Sequence, residues 1–311
     1  MDTPLVTVYT LAYNHAPYIR QCIEGILMQK TTFSFEFVIH DDASTDGTAD
    51  IIREYETRYP DIIKPIYQTE NQYSKEGVML PSALGKYIAE CEGDDYWTDP
   101  LKLQKQVDFL ETHPDYTICG GMYQELKEGM TEPIERDWLV RVMKKFPKGR
   151  IVTLQNFMNP YSLQFLTVCF RSDCVNNKKL DQFKNWKDDT LYAILLEQGK
   201  GFLFPDYFGV YRMHSGGIWA GLSHEEQLRS SVEYLSEMVL HFGNKSKSIR
   251  MTYFEYCINL RFIELRESKQ LIIDCMKIIR FAFSGKIRDI VSFQIPYLFL
   301  KSKHSFIRIC K

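Results

Sequence analysis

The stretch Ala89-Glu90-Cys91-Glu92-Gly93-Asp94-Asp95-Tyr96-Trp97 sets two adjacent carboxylates behind the short apolar run Lys86-Tyr87-Ile88-Ala89, which reads as a buried strand. Asp99-Pro100-Leu101 reads as a helix start, with Asp99 as N-cap and Pro100 at the first helical position. Asp94 and Asp95 are therefore expected in a strand-to-helix loop at the carboxyl edge of a sheet, where open α/β sheets bind their ligands. Neighbouring carboxylates repel, and a partly buried turn holds them only with a divalent cation or a network of donors. A hard cation such as Mg²⁺ or Mn²⁺, bridging one carboxylate to a diphosphate, supplies that compensation. Taken alone, the segment reads equally as an acidic surface turn that caps the next helix.

Toward the N-terminus the pattern repeats. Residues 5–11 are rich in β-branched side chains and read as a first strand, ending in the polar turn Ala12-Tyr13-Asn14-His15. Pro17 opens a helix with Ile19, Cys22, Ile23, Ile26 and Leu27 at apolar spacing. Residues 35–39 form a second strand that runs into Asp41-Asp42-Ala43-Ser44-Thr45-Asp46-Gly47-Thr48 and a second helix. A third strand is expected over residues 62–67 and a short helix near residues 78–85. Alternation of strand and helix to about Leu110 predicts a doubly wound, mainly parallel sheet, with acid-bearing loops after strands one, two and four on one edge.

Beyond His113-Pro114 the pattern is mixed. Strands are expected over residues 116–123, 162–170 and 201–210, a charged excursion over 125–150 and a helix over 188–198. The strand ending at Val210 delivers Tyr211-Arg212-Met213-His214-Ser215-Gly216-Gly217, and from about Ser223 the chain reads as helical. This places a catalytic domain at residues 1–222 and a helical, basic extension at 223–311.

With 311 residues, 45% of them hydrophobic, the chain can bury a large core, and a net charge of -2 argues against general nucleic-acid binding. The 8 cysteines contain no C-x-x-C pair, so neither a zinc cluster nor a disulfide framework is expected, and a reducing, cytoplasmic setting fits. No signal peptide or membrane-spanning run is read.

In the second loop Asp42 offers an acceptor for a base N–H or a ribose hydroxyl, while Ser44, Asp46 and Thr48 suit turn formation and helix capping equally. Tyr13 suits base stacking or packing on the first helix. His214, in a Gly-Gly loop, suits a metal or phosphate contact, and Arg212 a phosphate clamp. Asp188 and Asp189, after Trp186, offer a general base or a helix N-cap.

In order, these motifs resemble a family 2 glycosyltransferase, over roughly residues 5–223. The resemblance implies the GT-A fold, a nucleotide-sugar donor (a UDP-sugar), a divalent cation and inversion at the anomeric carbon. It places Leu11, Tyr13, Asn14, Asp42, Asp94 and Arg212 around the donor nucleotide, Asp95 and His214 on the metal, and Trp97 and Trp186 in an acceptor or sugar pocket. The family's base sits in Glu-Asp with Leu three residues after the Asp; counting back from Leu191 gives Asp188, with Lys187 in place of Glu and Asp189 as the alternative. The acceptor implied is a glycan or lipid-linked glycan in bacterial surface polysaccharide synthesis. A catalytically silent nucleotide-sugar-binding module is the competing reading; a nucleotidyltransferase is disfavoured because residues 11–18 lack a glycine-rich, basic phosphate loop. Residues 277–311 mix Arg280, Lys286, Arg288, Lys301, Lys303 and Arg308 with Ile278, Phe281, Phe283 and Phe293, which suits a peripheral membrane contact or packing on a subunit.

Overall fold

The computed structural model describes residues 3–72, 85–158, 163–175 and 177–264. Two compact units divide the chain. One comprises Met1–Thr153, Ser162–Leu180 and Leu191–His214; the other comprises Leu154–Tyr161, Asp181–Thr190 and Ser215–Lys311.

The first unit opens with β1 (Val6–Ala12), α1 (Ile19–Leu27), β2 (Phe35–Asp41), α2 (Thr48–Arg58) and β3 (Ile63–Tyr67), the alternation that the sequence predicts. Next come β4 (Tyr87–Glu90), β5 (Tyr96–Trp97), α3 (Lys102–Thr112), β6 (Tyr116–Lys127), β7 (Ile134–Glu135), α4 (Asp137–Met143) and β8 (Arg150–Val152). Then follow β9 (Cys169–Arg171), α5 (Asn177–Leu180), α6 (Asp188–Gln198), which starts in the second unit, and β10 (Lys200–Met213). The sheet order is β3-β2-β1-β4-β9-β6-β10-β5, with β7 beside β6 and β8 beside β10.

β3, β2, β1 and β4 are parallel, so β1, β2 and β4 deliver their following loops to one edge. Six of the seven residues in each of β1 and β2 are buried, among them the polar Thr7, Thr10, Glu36, His40 and Asp41, so burial on both faces here includes polar side chains as well as apolar ones. α1 turns Ile19, Cys22, Ile23 and Ile26 into the core, as its spacing predicts. β9 then enters antiparallel between β4 and β6, making the sheet mixed. β10 runs parallel to β6 and antiparallel to β5, with Val210 opposite Tyr96 and Gly209 opposite Trp97.

Three local expectations change. α3 begins at Lys102, not Pro100: the Pro100 carbonyl accepts from Lys30 N–H (2.8 Å), while Asp99 Oδ1 accepts from Leu101 N–H (2.9 Å), so the aspartate caps a turn ahead of the helix. The strand expected over residues 162–170 contains a single 3₁₀ turn, Phe165–Thr167, closed by the Thr167 hydroxyl on the Gln164 carbonyl (2.8 Å), before β9. The short helix expected near residues 78–85 lies, but for Gly85, outside the described residues.

In the second unit α7 (His224–Phe242) starts at a complete capping box, Ser223 and Glu226. It buries Leu228, Leu235, Met238, Val239 and Phe242, and α8 (Lys247–Glu264) follows. A single cut at residue 222 does not describe this unit, because residues 181–190 belong with it. No helix among the described residues is long and apolar enough to cross a membrane, and the basic stretch 277–311 lies outside them.

Candidate active site

The loops after β1 and β2 are laced together. Asn14 N–H donates to Ser44 Oγ (2.9 Å), His15 N–H to Thr48 Oγ1 (2.8 Å), Ala16 N–H to Asp46 Oδ2 (2.9 Å) and Thr45 N–H to Asn14 Oδ1 (2.9 Å). Asp46 Oδ1 also accepts from Thr48 N–H (3.0 Å) and its hydroxyl (2.6 Å). Ser44, Asp46 and Thr48 are thus turn and cap formers. Gly47, at φ 99°, supplies the left-handed turn between them. Asn14 and Ala43 also hold positive φ, 54° and 61°, conformations that L-residues adopt at a cost and that cluster at functional sites.

Tyr13, Leu11 and Asp42, the residues expected around a nucleotide, lie at this edge. Tyr13 is exposed, its ring free of the core. The Leu11 carbonyl accepts from Gly93 N–H (3.0 Å), tying the end of β1 to the acidic loop. Asp42 is buried and its Oδ1 accepts from Gln72 N–H (2.7 Å), so one oxygen of the proposed base contact already serves the chain.

Asp94 and Asp95 are both buried, as the strand-edge argument requires, yet their environments differ. Asp94 Oδ2 meets His214 Nε2 at 3.0 Å and His15 Nε2 at 3.8 Å. Burial raises its pKa, but the His214 hydrogen bond and the two imidazoles outweigh it and hold the carboxyl below the ordinary range. Asp95 Oδ1 accepts from Arg212 N–H at 2.7 Å. Burial, then the charges of Asp94 and Glu92, push its carboxyl well above the ordinary range. β5 makes this possible: pairing Val210 with Tyr96 brings the next turn of β10 over the acid pair.

Glu92, Asp94 and Asp95 each present a carboxylate oxygen within 4.8 Å of the others. Asp94 Oδ1 and Asp95 Oδ2 are buried without a hydrogen-bond partner. Unpartnered buried anionic oxygens in a cluster fit a hard divalent cation, which prefers oxygen ligands. His214 is on Asp94, so the structure gives it a carboxylate partner where a metal contact was expected. Its ring also lies 4.6 Å from that of Tyr18, centroid to centroid.

Arg212 has work within the protein. Its Nε donates to the Asp94 carbonyl (2.8 Å), its Nη2 to Gln21 Oε1 (2.7 Å), and its guanidinium lies over the Tyr18 and Tyr96 rings. It locks the end of β10 onto the acidic loop. The expectation that Trp97 lines a sugar pocket is corrected: its indole N–H donates to the Leu166 carbonyl (2.7 Å), Lys102 Nζ lies 3.9 Å from its ring centre, and it is 2% exposed. Trp97 is an outsized core residue whose one donor found a backbone partner.

In the second unit, Asp188 and Asp189 stand in the first turn of α6, both partly buried. Burial pushes Asp188 up to about 6 and Asp189 up to about 7. Tyr234 Oη donates to Asp189 Oδ2 (2.8 Å), and Asp189 Oδ1 is buried without a partner. Trp186, two residues before, is partly buried. Lys187, standing where the family pattern has an acid, donates to Ser230 Oγ (2.8 Å) and lies over the rings of Trp219 and Tyr234 at 4.4 and 5.0 Å.

Sequence reasoning missed His15, Glu92 and Tyr234. His15 was signalled only as part of the polar turn after β1, and Glu92 only as part of the acidic stretch. Tyr234 carries no local signal, because it reaches Asp189 across 45 residues of chain.

Residues 7–172 match the family described as Glycosyl transferase family 2. The chain belongs to glycosyl transferase family 2. Among curated relatives of this family 2 chain, an uncharacterized protein of Mycobacterium tuberculosis is 34% identical over 217 residues, 69% of this chain and 60% of the relative. The chain thus matches less than two thirds of that relative's length. The UDP-Glc:alpha-D-GlcNAc-diphosphoundecaprenol beta-1,3-glucosyltransferase WfaP of Escherichia coli is 27% identical over 259 residues, 82% of this chain and 93% of WfaP. Among solved structures, S. aureus TarS 1-349 in complex with UDP-GlcNAc superposes with a TM-score of 0.62 at 17% identity, covering 92% of this chain and 89% of that one. The mannosyltransferase PcManGT of Pyrobaculum calidifontis, in complex with GDP-Man and Mn²⁺, gives 0.53 at 16% identity, covering 94% and 84%. These likenesses show the fold: an open, mixed α/β sheet of the GT-A type.

Proposed function

We propose that this glycosyltransferase moves a sugar from a nucleoside-diphosphate donor, a UDP-sugar, to a hydroxyl of a glycan or lipid-linked glycan, with inversion at C1. The observation that carries the reading is the cluster of partly buried Glu92 with buried Asp94 and Asp95, two of whose oxygens are unpartnered, at the carboxyl edge of β4. The UDP-Glc named for WfaP and the UDP-GlcNAc bound to TarS support a uridine donor; the diphosphoundecaprenol in WfaP's name supports a lipid-linked acceptor in surface polysaccharide synthesis.

In this reading Tyr13 stacks on the base, and Asp42 with the backbone at Leu11 and Asn14 binds the nucleoside. Arg212, fixed by Gln21 and the Asp94 carbonyl, presents its charge toward the diphosphate. Asp95, with Asp94 and Glu92 oxygens, would hold Mn²⁺ or Mg²⁺, which when bound offsets the charge of the departing diphosphate. His214 and His15 keep Asp94 ionised. One of the pair Asp188 and Asp189 takes the acceptor hydroxyl's proton as its oxygen bonds to C1; the C1–O bond breaks and its electrons leave with the diphosphate. Residue spacing assigns Asp188 as base. The Tyr234 hydrogen bond favours Asp189, since an oriented carboxylate with pKa about 7 is matched to neutral pH. Trp186, in the same segment, is proposed to face the acceptor. With a lipid-linked acceptor the reading makes the enzyme cytoplasmic and peripheral on the inner face of the cytoplasmic membrane.

Calorimetric titration of UDP, GDP and CDP, with and without Mn²⁺, tests the reading. Mn²⁺-dependent binding of UDP, lost in Asp95→Ala, is expected. Absence of binding by all three nucleotides would overturn the donor assignment.

A further inference from the structure

One face of α7 is committed to a single segment of chain. Ser230, Tyr234, Glu237 and His241 recur at intervals of four, three and four, so they lie along one stripe of the helix. Each touches the stretch 183–189. Ser230 Oγ accepts from Lys187 Nζ (2.8 Å), and Tyr234 Oη donates to Asp189 Oδ2 (2.8 Å). Glu237 accepts from Lys184 N–H (2.7 Å) and from Asn185 Nδ2 (3.4 Å). The His241 ring packs on Phe183, centroids 4.3 Å apart. Phe183, Lys184 and Asn185 meet the far turns of the stripe at His241 and Glu237, and Lys187 and Asp189 the near ones at Ser230 and Tyr234. A segment without regular structure before Asp188 thereby acquires a fixed path.

We infer that α7 is a splint for the base-bearing segment, and that Tyr234 is the positioning residue that aims the Asp189 carboxylate. The inference rests on the reading of Asp188 and Asp189 as the source of the base. Oriented bases are the effective ones, because a general base must sit within hydrogen-bond reach of the proton it removes. Tyr234 donates to the ionised carboxylate, so it also favours the form that can accept a proton. Among the described residues, the other titratable groups facing Asp189 are Asp188 and Lys187 on its own segment and Tyr256 of α8, whose phenol burial and the Asp189 charge both raise. Lys187, held by Ser230 between the Trp219 and Tyr234 rings, sets a cation beside both carboxylates.

Tyr234→Phe removes one hydroxyl and leaves the ring that packs under Lys187. With the full-length enzyme and its sugar nucleotide, kcat is expected to fall about ten-fold at pH 7, as for loss of a hydrogen bond to a charged group. The donor KM and the calorimetric affinity for the nucleotide should hold. The acidic limb of the rate profile should move to higher pH, because the carboxylate loses a donor that favoured its ionised form. Ser230→Ala, which unties Lys187 alone, should lower kcat less and move the same limb in the same direction. A ten-fold loss without movement of the limb would reduce Tyr234 to a structural contact and overturn the inference. Asp188→Asn and Asp189→Asn separate this from failure of the underlying reading. If both retain turnover, the pair is not the base; if Asp189→Asn is inactive while Tyr234→Phe is normal, only the splint is wrong.

Discussion

Asp94 and Asp95 share a peptide bond and have opposite electrostatics. Asp94 is ionised with two imidazoles near one oxygen; Asp95 has a backbone donor on one oxygen and a second, buried oxygen without a hydrogen-bond partner. Its raised pKa means that the folded state binds its proton more tightly than the unfolded chain does. Metal-free stability is therefore lost as pH rises from the ordinary carboxylate range through that raised value. Asp95→Asn keeps an oxygen for Arg212 N–H and removes the buried charge. In metal-free buffer at pH 7 this variant should melt roughly 2–4 °C above wild type, about 1 kcal/mol, and should no longer gain stability on addition of Mn²⁺. A lower melting point without metal would show that the ionised Asp95 is already compensated. The carboxylate pair was legible only in company: alone it reads equally as a helix-capping surface turn, and the polar loops after the first two strands, on the same sheet edge, tip the balance. Trp97, one residue past Tyr96, was not: the same spacing serves a core indole and a pocket indole, and only the Leu166 carbonyl that receives its N–H decides between them.

At the scale of elements, the edge after β1 and β2 is held by a lacing of the two loops, backbone to side chain, partly at the surface. Asp46 is its centre, accepting from Ala16 N–H with one oxygen and from Thr48 with the other. Asp46→Ala leaves three donors without this partner, the first N–H of α2, at Thr48, among them. A loss on the order of 2 kcal/mol in urea unfolding is expected, with Asp46→Asn intermediate because one acceptor oxygen survives. A stability equal to wild type in Asp46→Ala would mean that water replaces the lacing at no cost. The alternation of β1, α1, β2, α2 and β3 could be read from the chain because β1 and β2 are rich in β-branched and aromatic residues, polar turns follow them, and α1 has a clear apolar stripe. β9 was blurred: Thr167 closes a turn inside an apolar stretch, and hydrophobicity alone does not distinguish that turn from a strand. The role of α7 was illegible for a different reason. Its stripe of Ser230, Tyr234, Glu237 and His241 is polar, and a polar helical face reads as solvent-facing unless its distant partner is known.

Over the whole molecule, the sheet of the first unit encloses a charge that no motif announced. Lys102 is 0% exposed, its Nζ bonded to Gln106 Oε1 (2.8 Å) and stacked on Trp97, and burial lowers its pKa from 10.5 to about 8. Between these two values the unfolded chain keeps a proton that the folded one has released, so Lys102 adds stability as pH rises from about 8 toward 10.5. Cys91, Cys119 and Cys169 act oppositely: burial raises all three thiols, and above about pH 9 the unfolded chain ionises them first. A comparison of wild type with Lys102→Met cancels the thiols to first order. Met fills a similar volume without a charge, at the expense of the donor to Gln106 Oε1, whose Nε2 keeps the Thr167 carbonyl (2.8 Å). At pH 7.5 the variant should be at least as stable as wild type by denaturant titration, and between pH 8 and 9 the difference should move in favour of wild type by roughly 1 kcal/mol. A difference that stays constant over that interval would place the Lys102 amine outside it, and would mean that the cation over Trp97 is kept charged in the core.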